Sequence, residues 1–220
     1  MLKTKTAQKT MRTLIAFTLI LGLSNTVASA EDFKKDAIAE NGMVSAAHPL
    51  AAKAGVEILK KGGNAFDAAV ATAFMLGLVE PQSSGLGGGG FAMIYVAKEK
   101  KSYMVDYREI APYAAKADSY IDSNGKVIRG KSTTGPYASG VPGQVKGMEF
   151  ITQKFGTMKL ADLIAPAIKQ ADEGLPVNRV LHNELMNNLV RIEKFNTKED
   201  FARFKCKLAK QCKTKISAKR

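Results

Sequence analysis

Several groups of residues in this chain have types and spacings that chemistry uses. Gly85, Gly87 and Gly90 fit G-x-G-x-x-G, the spacing with which a glycine loop brings a pyrophosphate to a helix N-terminus. Gly125 to Ser132 reads G-K-V-I-R-G-K-S and fits the phosphate-loop pattern letter for letter. His48 and His182 are potential metal ligands, and Cys206 and Cys212 could pair or bind metal.

Their surroundings argue against each of these chemistries. The dinucleotide loop needs a strand before it and a helix after it. Here an apolar helical stretch precedes the glycines and a strand-like stretch follows, so the order is reversed. The phosphate loop needs a helix that begins with its lysine and serine. After Ser132 the text is T-T-G-P-Y-A-S-G-V-P-G, which cannot form one, and Val127-Ile128 reads as a short strand leaving an Asn-Gly turn. The two histidines are far apart and have no ligand spacing around them, so they read as helix-end or surface residues. The two cysteines enclose a small loop in a basic tail and would staple nothing in the main body. No metal and no cofactor are expected.

The elements that position the remaining candidates follow from periodicity. Residues 49–61 read as a helix that starts at Pro49 and is ended by Gly62-Gly63. Its predicted inner side carries Leu50, Ala54, Val56, Ile58, Leu59 and Lys61. Asn64 is a predicted N-cap for a second helix, Ala65 to Val79, which is apolar on nearly every face. Its one charge, Asp67, lies in the first turn, where the helix dipole favours it. Pro81 stops this helix. Phe91 to Ala97 and Ser102 to Tyr107 read as the two strands of a hairpin. Asp122 to Gly125 is a turn, and 135–143 is rich in loop signals. Helices are expected at 144–155, from Leu160 to Ala171 with a kink or break at Pro166, and at 178–192. Helices packed on antiparallel strands make the fold class α+β.

Charge is unevenly placed. The net charge is +13 over 220 residues, with four basic and no acidic side chains in residues 1–30, and eleven basic against three acidic in 191–220. The 160 residues between them hold 18 basic and 17 acidic groups, so the globular part is nearly neutral. A nucleic-acid partner would call for a basic face on the folded body, and none is expected. Residues 1–30 read as a cleaved signal peptide: basic residues from Lys3 to Arg12, an apolar run from Leu14 to Leu23, then Ala28-Ser29-Ala30 before Glu31. That run is short of the roughly twenty residues that span a bilayer. The mature chain is expected in a periplasm or outside the cell, with no membrane attachment. The domain organisation is therefore signal peptide 1–30, a globular part 31–190, and a basic tail 191–220 expected to be disordered or out of frame.

The text from Asn41 to Pro112 adds a more specific signal. It includes N-G-M-V-S-A-A-H-P-L-A-A, K-K-G-G-N-A-F-D-A-A-V-A-T-A, E-P-Q-S-S-G-L-G-G-G-G-F and D-Y-R-E-I-A-P. It resembles the start of the large subunit of γ-glutamyltranspeptidases. Later strings, F-G-T-M-K-L-A-D-L-I-A-P-A-I and A-D-E-G-L-P-V, are similar to the same family. The resemblance implies part of an N-terminal-nucleophile hydrolase, whose fold is a four-layer αββα sandwich. It implies glutathione or another γ-glutamyl donor, an amino acid or peptide acceptor, and a small subunit carrying the nucleophilic threonine. Arg108 matches the arginine that grips the donor's α-carboxylate, and Glu109 is expected to orient it or face the site. Thr133-Thr134 does not match the nucleophile, which the family follows with T-T-H-x-S text rather than Gly135-Pro136. No catalytic residue is therefore assigned, and the chain alone is expected to be inactive. Without small-subunit strands the sandwich would be incomplete, and the helix Ala65–Val79 is expected to lack packing partners. A split enzyme completed by a second chain and a non-catalytic carboxylate-binding protein remain as alternatives.

Overall fold

A computed structural model describes residues 37–175 and 177–199. The expected signal peptide, 1–30, and the part of the expected tail that carries Cys206 and Cys212 lie outside the described residues, whereas 191–199 are described. The first helix, α1 (Pro49–Lys60), is capped by His48, whose Nδ1 accepts the Leu50 N–H at 3.2 Å. The histidine is thus a helix-end residue, as its sequence setting predicts. The face α1 buries is Ala51, Ala54, Gly55 and Ile58. This corrects the predicted face: Lys61 is the exposed C-cap, and Leu50, Val56 and Leu59 are only partly buried. Gly62 then reverses the chain at φ +89°, a conformation that favours glycine.

The second helix, α2 (Ala65–Val79), starts with the full capping box. Asn64 Oδ1 accepts the Phe66 and Asp67 N–H groups at 2.9 Å each, and Asp67 Oδ2 accepts the Asn64 N–H at 2.9 Å. An all-apolar helix must be covered on all sides. It packs against α1, α3 (Gln144–Phe155) and α4 (Leu160–Glu173), and Val70, Ala71, Phe74, Met75 and Val79 are buried. The expectation that this helix would lack partners is therefore wrong: its partners come from the same chain. Burying a residue such as Val70 or Leu163 contributes about 1.5–3 kcal/mol.

Helix α4 runs through Pro166 as one element, where a break or kink is expected from sequence. The proline lacks a donor for the carbonyl of Asp162, and Asp162 is exposed, so water can satisfy it. Its inner face is narrower than the periodicity implies, since Leu163 and Ala167 are buried but Ile168 is 56% exposed. The predicted helix over 178–192 is two helices, α5 (Arg179–Asn187) and α6 (Leu189–Phe195). Asn188 separates them, and its side chain donates to the Glu184 carbonyl at 2.8 Å.

The strands are β1 (Phe91–Val96) and β2 (Lys101–Asp106), paired antiparallel with Phe91 opposite Asp106 and Val96 opposite Lys101. Their alternation gives the sheet two faces. Ala92, Ile94, Val96, Tyr103 and Val105 turn toward the helices. Phe91, Met93, Tyr95 and Met104 form the opposite face and are 55–76% exposed. The described residues thus hold a helical layer on one side of a two-stranded sheet. The α+β class stands at that level.

Asp67 ties the helical layer together. It is fully buried. Its carboxylate accepts the Thr157 hydroxyl at 2.6 Å, the Thr157 N–H at 3.1 Å and the Met158 N–H at 3.3 Å, besides the cap N–H. Burial by itself pushes this carboxyl up. The Thr157 hydroxyl and the N–H groups of Asn64, Thr157 and Met158 outweigh burial and hold it below the ordinary carboxylate value.

Candidate functional site

The site grows from where α2 ends. Glu80 caps that helix, and its carbonyl accepts the Ser83 and Ser84 N–H groups at 3.0 and 2.9 Å. The glycine run then doubles back. Gly88 donates to the Gly85 carbonyl at 3.0 Å, and its own carbonyl accepts the Gly143 and Gln144 N–H groups at 3.0 Å each. The loop is thereby sealed onto the N-terminus of α3. Gly90 and Tyr107 exchange two backbone bonds of 3.3 and 3.0 Å, which extends the hairpin ladder by one pair. Ile110 and Val141 exchange another two, at 3.3 and 2.8 Å.

The segment Tyr107–Ile110 therefore runs in a channel between two glycine-containing walls. A Cβ on Gly89 would collide with the Tyr107 carbonyl and lie 2.9 Å from the Glu109 nitrogen. One on Gly140 would lie 2.9 Å from Glu109 Cβ, and one on Gly143 would collide with the Tyr107 carbonyl. Gly89, Gly140 and Gly143 thus let the backbones pass in contact, which a side chain at any of them would prevent. Gly143 has φ −108°, which any residue adopts, so a substitution there is opposed by contact alone. We expect Gly143→Ala to cost about 2 kcal/mol of stability, the usual penalty for forcing atoms into a packed site. Chemical denaturation of the two proteins measures it, and equal midpoints would contradict the tight passage.

Arg108 and Glu109 emerge from this channel. The Arg108 N–H donates to Asp106 Oδ1 at 2.9 Å, which fixes the backbone just after β2. The guanidinium lies 6.0 Å from the centre of the Phe91 ring. Arg108 Nη1 is 3.4 Å from Glu109 Oε2, with the arginine side chain 55% exposed. At that exposure the ion pair is worth little by itself. Glu109 Oε2 is nonetheless a buried atom with no hydrogen bond. Both residues line a cleft of about 370 Å³ with Ser83, Ser84, the loop glycines and Gln144. The structure thus brings the two sequence-predicted residues to one opening beside the glycine loop. Chemically, the opening offers a guanidinium fork for an anion and, ion-paired to it, a carboxylate oxygen that makes no hydrogen bond.

Sequence reading missed two parts of this site. One is the wall formed by Gly140 and Gly143, where the only signal was a loop-rich stretch. The other is Gln144, which is 9% exposed and gives no motif signal.

The discarded motifs stay discarded. In the phosphate-loop match, Gly125 closes a turn at φ +76° and Ile121 bridges to Val127. Lys131 begins no helix; its ammonium sits 4.3 Å from the centre of the Tyr137 ring. The Thr133 and Thr134 N–H groups both donate to the Gly130 carbonyl, at 3.2 and 2.9 Å, and Thr133 is exposed. Among the described residues no cluster of three histidine, cysteine, aspartate or glutamate side chains could hold a metal. No helix among them is long and apolar enough to cross a membrane.

With a helix-covered hairpin and an arginine–glutamate pair beside a glycine loop, comparison with known proteins becomes informative. The family model for gamma-glutamyltranspeptidase matches residues 51–217, a span that includes much of the lysine-rich stretch after Arg191. The chain belongs to this family and corresponds to its N-terminal part. Among curated relatives, the glutathione hydrolase proenzyme of Bacillus subtilis (strain 168) is 42% identical over 174 residues, 79% of this chain and 30% of the relative. The glutathione hydrolase proenzyme of a Pseudomonas species (strain A14) is 53% identical over 136 residues, 62% of this chain and 24% of the relative. The crystal structure of the Helicobacter pylori gamma-glutamyltranspeptidase superposes with a TM-score of 0.70 at 40% identity, covering 73% of this chain and 46% of that one. The chain thus spans less than a third of the length of these two curated relatives.

Proposed function

We propose that this chain is the N-terminal part of the large subunit of an exported enzyme that hydrolyses or transfers the γ-glutamyl group of glutathione and related donors. The observation that carries this reading is the Arg108–Glu109 pair, held by the glycine channel at a cleft, in a chain of this family. In this reading Arg108 binds the donor's α-carboxylate through its planar fork. Glu109, 3.4 Å from Arg108 Nη1, orients that fork. Holding a free α-carboxylate is what distinguishes a γ-linked from an α-linked glutamyl group.

The bond-making step needs a threonine from a small subunit. Its hydroxyl oxygen attacks the γ-carbonyl carbon, its α-amino group takes the proton, and the amine of the donor leaves with a proton. Water or an acceptor amine then displaces the threonine oxygen from the acyl group. The helical layer and hairpin are one side of an αββα sandwich, and Phe91, Met93, Tyr95 and Met104 are the face that meets the second sheet.

The test is turnover of γ-glutamyl-p-nitroanilide. The 220-residue chain alone is expected to release no p-nitroaniline. The same chain extended by, or co-expressed with, a threonine-bearing segment is expected to release it. Turnover by the chain alone would overturn the proposal. Binding of a γ-glutamyl ligand with no turnover in any combination would favour a non-catalytic carboxylate-binding protein.

A further inference from the structure

The chain contains two Asn-Gly pairs, Asn41-Gly42 and Asn124-Gly125, and the γ-glutamyl chemistry gives neither a role. Both pairs are exposed. An asparagine before glycine is open to attack on its own side chain, because glycine has no Cβ to shield the nitrogen that attacks. That nitrogen must lose its proton and reach the asparagine Cγ. The structure treats the two pairs differently. Asn124 sits in the turn at 122–125, where the Gly125 N–H donates to the Asp122 carbonyl at 3.0 Å. Asp122 Oδ1 accepts the Asn124 and Lys126 N–H groups at 2.8 and 2.9 Å, and the Asp122 N–H donates to the Lys126 carbonyl at 2.8 Å. The attacking nitrogen is engaged, and bonds on both sides of it hold the turn in shape. Asn41-Gly42 is under no such restraint. Among the described residues no hydrogen bond ties the backbone of Asn41 or Gly42. Side-chain contacts lay this segment on α1 instead. A Cβ on Gly42 would be 3.3 Å from Leu59 Cδ1, and one on Gly55 would be 3.0 Å from Val44 Cγ1. Such contacts leave the Gly42 nitrogen free to turn toward the Asn41 side chain.

We propose that Asn41 is a site of spontaneous covalent modification, a deamidation that the turn around Asn124 resists. The Gly42 nitrogen gives its proton to hydroxide or water and bonds to Asn41 Cγ. The side-chain amide nitrogen leaves as ammonia, and a five-membered imide then joins the two residues. Water opens this ring. Breaking the nitrogen's bond to Cγ leaves aspartate. Breaking its bond to the backbone carbonyl carbon leaves isoaspartate, in which the main chain runs through Cβ and Cγ. Either way one water is consumed and one ammonia is released. Both products place a negative charge where the chain began with a neutral amide. Isoaspartate also lengthens the main chain by one methylene and so displaces Gly42 from its seat on Leu59. The reaction uses no enzyme, metal or cofactor, and it is independent of the reading of Arg108.

The experiment is a timed incubation of the full chain in mildly alkaline buffer, once folded and once in guanidinium chloride. Peptide mapping by mass spectrometry follows the mass gain at each asparagine, and thermal midpoints show that each variant is folded. In the folded chain Asn41 is expected to convert at least about fivefold faster than Asn124, as for one or two hydrogen bonds that must break before attack. In denaturant the two rates should converge, since the local sequence is Asn-Gly in both. Gly42→Ala should slow conversion of Asn41 and leave that of Asn124 unchanged. Asp122→Ala removes the side-chain acceptor of the turn and should speed conversion of Asn124. Equal rates in the folded chain, or faster conversion of Asn124, would overturn the proposal. So would an Asn41 that stays intact in the folded chain while it converts in denaturant.

Discussion

In the enzyme completed with its threonine-bearing part, Arg108→Lys is expected to raise the KM for a γ-glutamyl donor by about 10- to 100-fold, the value of a bond to a charged group. Lysine keeps the charge but not the fork. Its ammonium is a point charge on a flexible stem and cannot hold a carboxylate through two parallel bonds. The backbone geometry makes the substitution a clean probe. The Arg108 N–H is tied to Asp106 and the flanking residues are clamped between glycines, so the side chain changes without releasing the segment. The ion pair it breaks with Glu109 is half exposed and contributes little to stability. Steady-state kinetics against donor concentration measures the effect. An unchanged donor KM in Arg108→Lys would remove the arginine from the site.

Asp67→Ala is expected to destabilise the fold by about 3 kcal/mol, because it strands several buried donors at once. The N–H groups of Asn64, Thr157 and Met158 and the Thr157 hydroxyl all lose their acceptor. Through them the start of α2 loses its tie to the turn between α3 and α4. Asp67→Asn should cost less, since it keeps an oxygen in place. The same carboxylate sets an acid limit. Its folded pKa is depressed, so its contribution is fully present above the unfolded value near 3.8 and is lost as pH falls through the folded one. Denaturation between about pH 5 and pH 2 should show wild type losing stability more steeply than Asp67→Asn. Parallel curves would contradict the role given to this group.

The sequence made the helices legible because their signals are local. The Asn64 cap, the apolar run to Val79 and the stop at Pro81 all lie within a few residues of the ends they define. Where it misled, the deciding partner was distant. The sequence marks Asp67 as a dipole-favoured first-turn residue; its main partner, Thr157, lies 90 residues away. The helix α2 reads as in need of outside cover, yet α1, α3 and α4 supply it. Pro166 reads as a break because the pattern shows the lost donor but not the exposed carbonyl that tolerates it. The site divides in the same way. Arg108 and Glu109 stand in recognisable text, whereas Gln144 becomes visible only once Gly88 has joined the loop to α3.

The most direct test of the central claim, that this chain is the N-terminal part of a γ-glutamyl-transferring enzyme, is the coding DNA read in all three frames past the codon for Arg220. The account predicts a T-T-H-x-S motif there, embedded in text of the same family. Three frames without that motif would contradict it, because no nucleophile would then be encoded downstream for Arg108 to serve.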